Sequence, residues 1–143
     1  MLRLLLLSLA VAAAVPAVAR EIVPGPLPAE VIEVVDGDTL GVRVHVWLGQ
    51  QIETRVRIVG VDAPELRARC AEERLRAEAA RDWLRDRVGS RDVILRDVRY
   101  DKYGGRVLAR VETAEGADLA RELLERKLAR PYGGGPRDGW CAG

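Results

Sequence analysis

A regular alternation of apolar residues from Leu40 to Leu48 constrains the fold more than any other feature of the chain. Apolar side chains occupy every second position, and Gly41, Arg43, His45 and Trp47 lie between them. A period of two is typical of a β-strand with one buried face. We therefore predict a half-buried strand that ends in a turn near Gly49.

Four more segments are predicted to be strands, and two are predicted to be helices. The strands cover residues 31–35, 40–48, 52–61, 92–98 and 107–111, and the helices cover residues 70–88 and 118–126. The third strand is apolar on both faces, which is typical of a central strand, and Gly60 within it suggests a bulge or a close backbone approach. The first helix is expected to bury Leu75, Ala79, Ala80, Trp83, Leu84 and Val88, with Gly89 as its C-terminal cap. The second is expected to begin at the N-cap Asp118 and to bury Leu119, Leu123 and Leu124.

Five short strands in this order predict a mainly β protein with helices, of the α+β class. The expected architecture is a five-stranded Greek-key barrel of the OB-fold type with two or three packed helices. The 143 residues are enough for one such domain, which we expect to span residues 30–143.

The first 19 residues resemble a secretory signal peptide. Arg3 precedes an apolar run, and Ala17–Ala19 provides a small-residue cleavage site. The alternative is a membrane anchor, although the apolar run is short for a full span. We expect an exported protein, periplasmic or secreted, without stable membrane association after cleavage. Residues 20–29 are rich in proline and are expected to form a mobile tether.

The charge of the mature chain is expected to be balanced. Loss of Arg3 with the signal peptide leaves 22 Lys and Arg against 22 Asp and Glu. The overall charge therefore does not favour a polyanionic partner, and any electrostatic attraction has to be local.

The chain contains two cysteines, Cys70 and Cys141. An even number of cysteines in an exported protein favours a disulfide, and the alternative is two unpaired thiols. A bridge would tie the C-terminal segment to the body of the domain.

Two acidic clusters flank the predicted meander of the first three strands. Asp36 and Asp38 lie in "VVDGDTL", and Asp62 and Glu65 lie in "VDAPEL". Each cluster alone is also typical of an ordinary turn. Together at one end of a barrel, the carboxylates would repel each other unless a cation neutralised them, and hard oxygen ligands suit Ca²⁺ or Mg²⁺.

Two arginines accompany these carboxylates. Arg57 lies inside the apolar third strand, where an unused charge would be costly, and Arg106 begins the fifth strand. A divalent cation, a carboxylate and two guanidinium groups can stabilise the charge that develops on phosphorus during phosphodiester hydrolysis. The alternatives are an arginine that extends to solvent at an edge and a solvated strand end.

Four stretches together resemble the staphylococcal nuclease family. They are "VVDGDTL", "RVRIVGVDAPE", "DKYGGRVLARV" and "LARPY", and they cover about residues 31–132. The resemblance implies an OB-fold barrel and a Ca²⁺-dependent nuclease that cleaves DNA and RNA and leaves 3′-phosphate products.

The resemblance also implies roles for individual residues. Asp38, Asp62 and the Ala63 carbonyl would bind the metal directly, and Asp36 would act through water. Glu65 would orient or activate the attacking water, and Arg57 and Arg106 would bind the phosphate. The nucleotide would contact Lys102, Tyr103 and Tyr132.

The chain departs from the commonest family pattern at two positions. "DKYGGR" has an extra glycine, so the assignment of Arg106 depends on a one-residue shift, and Lys127 replaces a capping glycine. We expect a monomer that acts on DNA, RNA or both, and the rival hypothesis is a non-catalytic OB-fold module that binds nucleic acid or protein. His45 is expected to be solvated and Trp83 to pack in the core, whereas Trp47 and Trp140 are left open as base-stacking candidates.

Overall fold

The computed structural model describes residues 21–142. In chain order, its elements are β1 (Ile22–Val23), β2 (Leu27–Asp36), β3 (Thr39–Trp47), β4 (Gln50–Ile58), β5 (Val61–Asp62), α1 (Ala71–Val88), β6 (Asp92–Tyr100), β7 (Arg106–Thr113), α2 (Leu119–Glu125) and β8 (Arg130–Pro131). The expected signal peptide lies outside the described residues.

Five long strands close into a barrel. β2, β3 and β4 form an antiparallel meander, β7 pairs with β4 in parallel, and β6 pairs with both β7 and β2. This strand order and the two helices packed on the barrel confirm the predicted α+β OB-fold. The largest buried side chains are aliphatic and include Leu40, Ile58, Leu84 and Leu95.

The mobile tether predicted for residues 20–29 is wrong, because much of this segment pairs with the barrel. Residues 27–29 belong to β2 and pair with β6, and Ile22–Val23 forms a short strand that pairs with Val98 and Arg99 of β6. The prolines suggested a segment outside the sheet. Instead, its backbone hydrogen bonds to β6, which is distant in sequence, hold residues 27–29 in a strand. The first barrel strand therefore begins at Leu27 rather than at Val31.

Helix α1 buries a different stripe from the one predicted. Ala80, Leu84 and Val88 face inward as expected, but Leu75 is 67% exposed and Ala79 is also exposed. Glu73 and Ala77 are buried instead. In this orientation the carboxylate of Glu73 accepts a hydrogen bond from the Glu65 backbone N–H at 3.1 Å, a contact that hydrophobic periodicity cannot reveal.

The third predicted strand is interrupted at Gly60. β4 ends at Ile58, and Gly60 has a φ of +89° before β5 begins. Open space surrounds the position where a Cβ would be, so the glycine supplies a left-handed turn rather than a close approach. This turn directs Asp62 toward the end of the barrel.

The predicted helix ends are mostly confirmed. Asp118 caps α2 by accepting hydrogen bonds from the N–H groups of Ala120 and Arg121 at 2.9 and 3.2 Å. Gly89 ends α1 with a φ of +55° and donates its N–H to the Arg85 carbonyl. Neither of the two helices in residues 21–142 has the length and apolar character needed to cross a membrane.

Candidate active site

The two acidic turns meet at one end of the barrel. The β2–β3 turn is closed by a hydrogen bond from the Asp38 N–H to Asp36 Oδ1 at 3.1 Å. Asp38 Oδ2 accepts a hydrogen bond from the Ala63 N–H at 2.9 Å. This convergence agrees with the prediction from the sequence, and the bond from Ala63 connects the two clusters.

Gly37 allows the first acidic turn to pack closely. A Cβ at this position would lie 2.7 Å from the Cβ of Ala80 on α1 and 2.8 Å from the Cβ of Ala63. Real Cβ atoms do not approach carbon this closely, so any other residue would push the turn away from the helix. The glycine between Asp36 and Asp38 is therefore a packing requirement of the site.

Asp38 is in an environment that disfavours its negative charge. Burial, reinforced by the neighbouring Asp36 carboxylate, raises the pKa of Asp38 from 3.8 to about 6. Arg57, whose Nη2 lies 3.7 Å from Asp38 Oδ2, offsets only part of this effect. An additional cation beside Asp38 would favour the ionised carboxylate.

Asp62 is held in one orientation by its oxygen Oδ2. Arg130 donates to this atom from Nε and Nη2 at 3.2 and 3.0 Å, and Trp140 donates from Nε1 at 3.4 Å. The Arg130 guanidinium also lies over the Trp140 ring, 4.3 Å from its centre. The side chain of Asp62 is only 1% exposed, so these contacts fix the carboxylate and direct Oδ1 into the site.

The other carboxylate oxygen of Asp62, Oδ1, differs from Oδ2 in its contacts. It lies 3.7 Å from Arg57 Nη2 and forms an ion pair with Arg137. Within residues 21–142 it is nevertheless a buried oxygen without a hydrogen bond of acceptable geometry. A buried anionic oxygen of this kind can serve as a metal ligand.

These donor atoms are suitable for a hard divalent cation. Asp38 and Asp62 supply carboxylate oxygens, and the Ala63 carbonyl lies beside them, where it accepts a hydrogen bond from Arg137 Nη2 at 3.3 Å. Ca²⁺ prefers carboxylate and carbonyl oxygens. The side chains of Cys70, Glu73 and Cys141 also cluster, within 4.8 Å, but both sulfurs are consumed by a disulfide and cannot act as thiolate ligands.

The two predicted phosphate-binding arginines line the same cavity, whose volume is about 610 Å³. Arg57 donates to the Val61 carbonyl at 3.3 Å and stacks on Tyr132 at 5.0 Å from the ring centre. Arg106 forms an ion pair with Asp101 and stacks on Tyr103 at 4.9 Å. Both guanidinium groups are thus positioned by a planar aromatic partner and a fixed oxygen.

The remaining predicted residues lie around these arginines. Lys102, Tyr103 and Tyr132 line the cavity, with the Lys102 ammonium 5.1 Å from the centre of the Tyr103 ring. Glu65 has a side chain 52% exposed and forms an ion pair with Arg137. Asp36 is half-buried next to Asp38.

Sequence reasoning missed Arg130 and Arg137, and it left Trp140 as a base-stacking candidate. The structure places the Trp140 ring on Arg130 and its Nε1 on Asp62. Arg130 lies in β8, within the stretch "LARPY", and Arg137 and Trp140 lie in the irregular C-terminal tail, where periodicity carries no information. The available signals were the position of Arg130 in "LARPY" and the position of Arg137 and Trp140 close to the second cysteine. Trp47 is 75% exposed at the tip of the β3–β4 hairpin, and His45 is exposed as predicted.

A disulfide joins Cys70 to Cys141, which confirms the predicted bridge. Cys70 is the N-cap residue of α1, and Cys141 follows Trp140 directly. The bond therefore holds the C-terminal tail against the site.

A family model for staphylococcal nuclease homologues matches residues 55–137, more than half of the sequence. The chain belongs to the staphylococcal nuclease family. The matched residues include Arg57, Asp62, Glu65 and Arg106. Asp36 and Asp38 precede the matched residues, and the hydrogen bond from Ala63 to Asp38 brings them into the site.

The chain is also similar to the probable endonuclease LCL3 of Leptosphaeria maculans (strain JN3 / isolate v23.1.3 / race Av1-4-5-6-7-8). The two sequences are 35% identical over 89 residues, which cover 60% of this chain and 30% of the relative. The match therefore spans less than a third of the relative's length. Both comparisons relate this chain to proteins described as nucleases or nuclease homologues.

Proposed function

We propose that this staphylococcal nuclease family member is a Ca²⁺-dependent nuclease that hydrolyses phosphodiester bonds of DNA, RNA or both and leaves 3′-phosphate ends. The observation that carries the proposal is the shared location of two kinds of group. Buried carboxylates Asp38 and Asp62 lie within 3.7 Å of Arg57, and Arg57 lines a cavity together with Arg106.

The acidic residues would hold the cation. Asp38, Asp62 Oδ1 and the Ala63 carbonyl are the direct ligands in this proposal, and Asp36 acts through water. When bound, Ca²⁺ would supply positive charge beside the phosphate. Arg130 and Trp140 keep Asp62 oriented by occupying its other oxygen.

The two arginines would bind the scissile phosphate and stabilise the charge that accumulates on its oxygens. A guanidinium held in place before the reaction stabilises that charge without the cost of reorganising solvent. Arg57 is held by the Val61 carbonyl and Tyr132, and Arg106 is held by Asp101 and Tyr103. Lys102, Tyr103 and Tyr132 provide stacking and charge for the adjacent nucleotide.

Glu65 would orient or deprotonate the attacking water. Its carboxylate is accessible to solvent, and its backbone N–H is fixed by the buried Glu73. Water attack on phosphorus would break the bond to the 5′-oxygen of the next nucleotide, and the 3′-oxygen would keep the phosphate.

A digest of denatured DNA and of RNA tests the proposal. We expect cleavage of at least one substrate with Ca²⁺ and none with excess chelator, with product ends that a polymerase extends only after phosphatase treatment. Glu65→Gln keeps the size of the side chain and should slow cleavage steeply. Binding of either nucleic acid without cleavage under any of these conditions would instead support the binding-module alternative.

We also propose that the protein is exported and acts as a monomer. Support for export comes from residues 1–19, which have the pattern of a cleavable signal peptide, and from the disulfide between Cys70 and Cys141. Fractionation of the producing cell and N-terminal sequencing of the mature chain test the export, and sedimentation analysis tests the oligomeric state.

A further inference from the structure

The C-terminal strap, residues 133–141, is anchored on both sides of the candidate site. At its start, β8 pairs with β5, and Tyr132 donates its N–H to the Gly60 carbonyl at 3.0 Å. At its end, Cys141 is bonded to Cys70. Arg130 also donates to the Asp138 and Gly139 carbonyls, which draws the strap toward Asp62.

This strap places Arg137 on the proposed metal ligands. Its guanidinium forms ion pairs with Asp62 Oδ1 and with Glu65, and its Nη2 donates to the Ala63 carbonyl at 3.3 Å. Two of these three groups are the proposed direct ligands, and the third is the proposed water-activating carboxylate. Arg137 therefore contacts the same oxygen atoms that the cation and the water would need.

We propose that Arg137 is an internal cation that competes with Ca²⁺ for Asp62 and Ala63 and has to leave them when the metal binds. The inference rests on the proposed function, because it assumes that these atoms are the metal ligands. It makes Arg137 a determinant of metal affinity and of the availability of Glu65.

The charges in the site support a real competition. Partial burial lowers the pKa of Arg137, but the carboxylates of Glu65 and Asp62 raise it by more. The net effect is a raised pKa, so the guanidinium is always charged. A guanidinium presents a rigid planar fork of N–H donors that matches carboxylate geometry, whereas an ammonium group is a compact, strongly hydrated point charge. Because the strap is tethered at both ends, the competing group stays at a high effective concentration.

Competition of this kind has a thermodynamic consequence. The apparent metal affinity is reduced by the fraction of molecules in which Arg137 occupies the ligands. Removing the guanidinium should therefore tighten Ca²⁺ binding, although the substitution also removes contacts from the metal-free protein. By contrast, a residue that only supports the site would weaken or preserve metal binding when it is removed.

The test is calorimetric titration of Ca²⁺ into the full mature chain. We expect Arg137→Gln to bind Ca²⁺ at least about fivefold more tightly than the parent, the lower end of typical coupling between two sites. The matched control is Arg106→Gln, which removes one positive charge from the same cavity. Arg106 pairs with Asp101 and does not contact the carboxylates of Asp38 or Asp62. We expect its Kd to stay within about twofold of the parent.

Two outcomes would overturn the inference alone. One is an Arg137→Gln Kd that is unchanged or weaker while the parent binds Ca²⁺ normally. The other is equal tightening in both variants, which would make the effect a general one of local charge. A parent that binds no Ca²⁺ would overturn this inference together with the metal dependence of the proposed function.

A second readout and a second variant guard against a folding defect. Thermal unfolding followed by circular dichroism should show a larger Ca²⁺-induced rise in Tm for Arg137→Gln than for the parent, because ligand stabilisation grows as Kd falls. If Arg137→Gln does not fold, Arg137→Lys keeps the charge but loses the fork. We expect it to bind Ca²⁺ at least about twofold more tightly, and an unchanged Kd would contradict the proposal.

Discussion

The backbone N–H of Ala63 donates to Oδ2 of Asp38 at 2.9 Å and joins two turns that are 25 residues apart in sequence. Each acidic turn alone has the composition of an ordinary surface turn. The bond makes them one site, in which Asp38 is buried beside Asp36 and 3.7 Å from Arg57. Removal of the Asp38 charge should therefore change both the stability and the metal response of the protein.

Asp38→Asn should stabilise the protein in chelator at neutral pH. Burial and Asp36 raise the pKa of Asp38 from 3.8 to about 6, so the folded state binds this proton more tightly than the unfolded state does. The contribution of that proton to stability is complete below pH 3.8 and is lost as the pH rises through 6. Each pKa unit corresponds to about 1.4 kcal/mol, so the free energy of unfolding of the parent falls by about 2–3 kcal/mol over this pH range. The variant has no ionisable group at position 38 and does not lose this stability.

Urea unfolding in chelator at pH 4.5 and pH 7.5 measures this effect. Asn can still accept the hydrogen bond from Ala63, so the difference between variant and parent should grow with pH. Saturating Ca²⁺ should reverse the order at pH 7.5, because the variant loses a charged ligand. A constant difference between the two proteins across this pH range would contradict the prediction.

Loss of the disulfide should destabilise the protein by up to about 4 kcal/mol, according to the loop-entropy model for a bridge that spans 71 residues. The comparison is denaturant unfolding of the parent and of the Cys70→Ser, Cys141→Ser double variant. Intact mass after alkylation without reductant checks the bridge itself. Two alkylated cysteines in protein folded under oxidising conditions would show that the bridge does not form.

Lys127→Gly should stabilise the protein by about 0.5–1 kcal/mol. Lys127 follows α2 with a φ of +56°, a conformation that costs a residue with a Cβ about 1 kcal/mol and that glycine adopts freely. The next residue, Leu128, donates its N–H to the Leu123 carbonyl at 3.0 Å, so the helix ends in a Schellman-type cap. The control is Arg121→Gly at an exposed position in the first turn of α2, which should destabilise the protein because glycine disfavours the helical conformation. The measurement is the denaturant midpoint of the parent and of the two variants. A loss of stability in both variants would be inconsistent with this account.

The barrel could be predicted because its strands have local signals. The alternation from Leu40 to Val44 matches side chains that are buried in the structure. The same pattern failed at Val46 and Leu48, which are 49% and 87% exposed, because the β3–β4 hairpin extends beyond the barrel. The sequence pattern predicted the strand, but only the barrel determines where burial stops.

The candidate site could be predicted in part for a related reason. Asp38, Arg57, Asp62 and Arg106 lie at or near strand ends, where chain order and fold bring them together. Arg130 lies in the short strand β8, and Arg137 lies in an irregular segment whose position depends on β8 and on the disulfide. No periodic pattern connects Arg137 with Asp62, 75 residues earlier in the sequence, so their ion pair required a structure.

The last prediction concerns the two arginines that line the cavity. Arg57→Ala and Arg106→Ala should each slow cleavage about a hundredfold to a thousandfold, because each removes a preorganised donor to charge that develops on the phosphate. Arg110→Ala is the matched control. Arg110 lies four residues further along β7, is exposed, and pairs with Asp97 at 3.1 Å rather than lining the cavity.

The measurement is the initial rate of cleavage of denatured DNA and of RNA at saturating Ca²⁺, with circular dichroism to confirm that each variant is folded. Arg110→Ala should retain a rate within about twofold of the parent, since an exposed ion pair contributes little. This comparison also tests the one-residue shift in "DKYGGR". If Arg110→Ala loses activity and Arg106→Ala does not, the assignment of Arg106 across the extra glycine is wrong, even though the barrel and the acidic site remain as described.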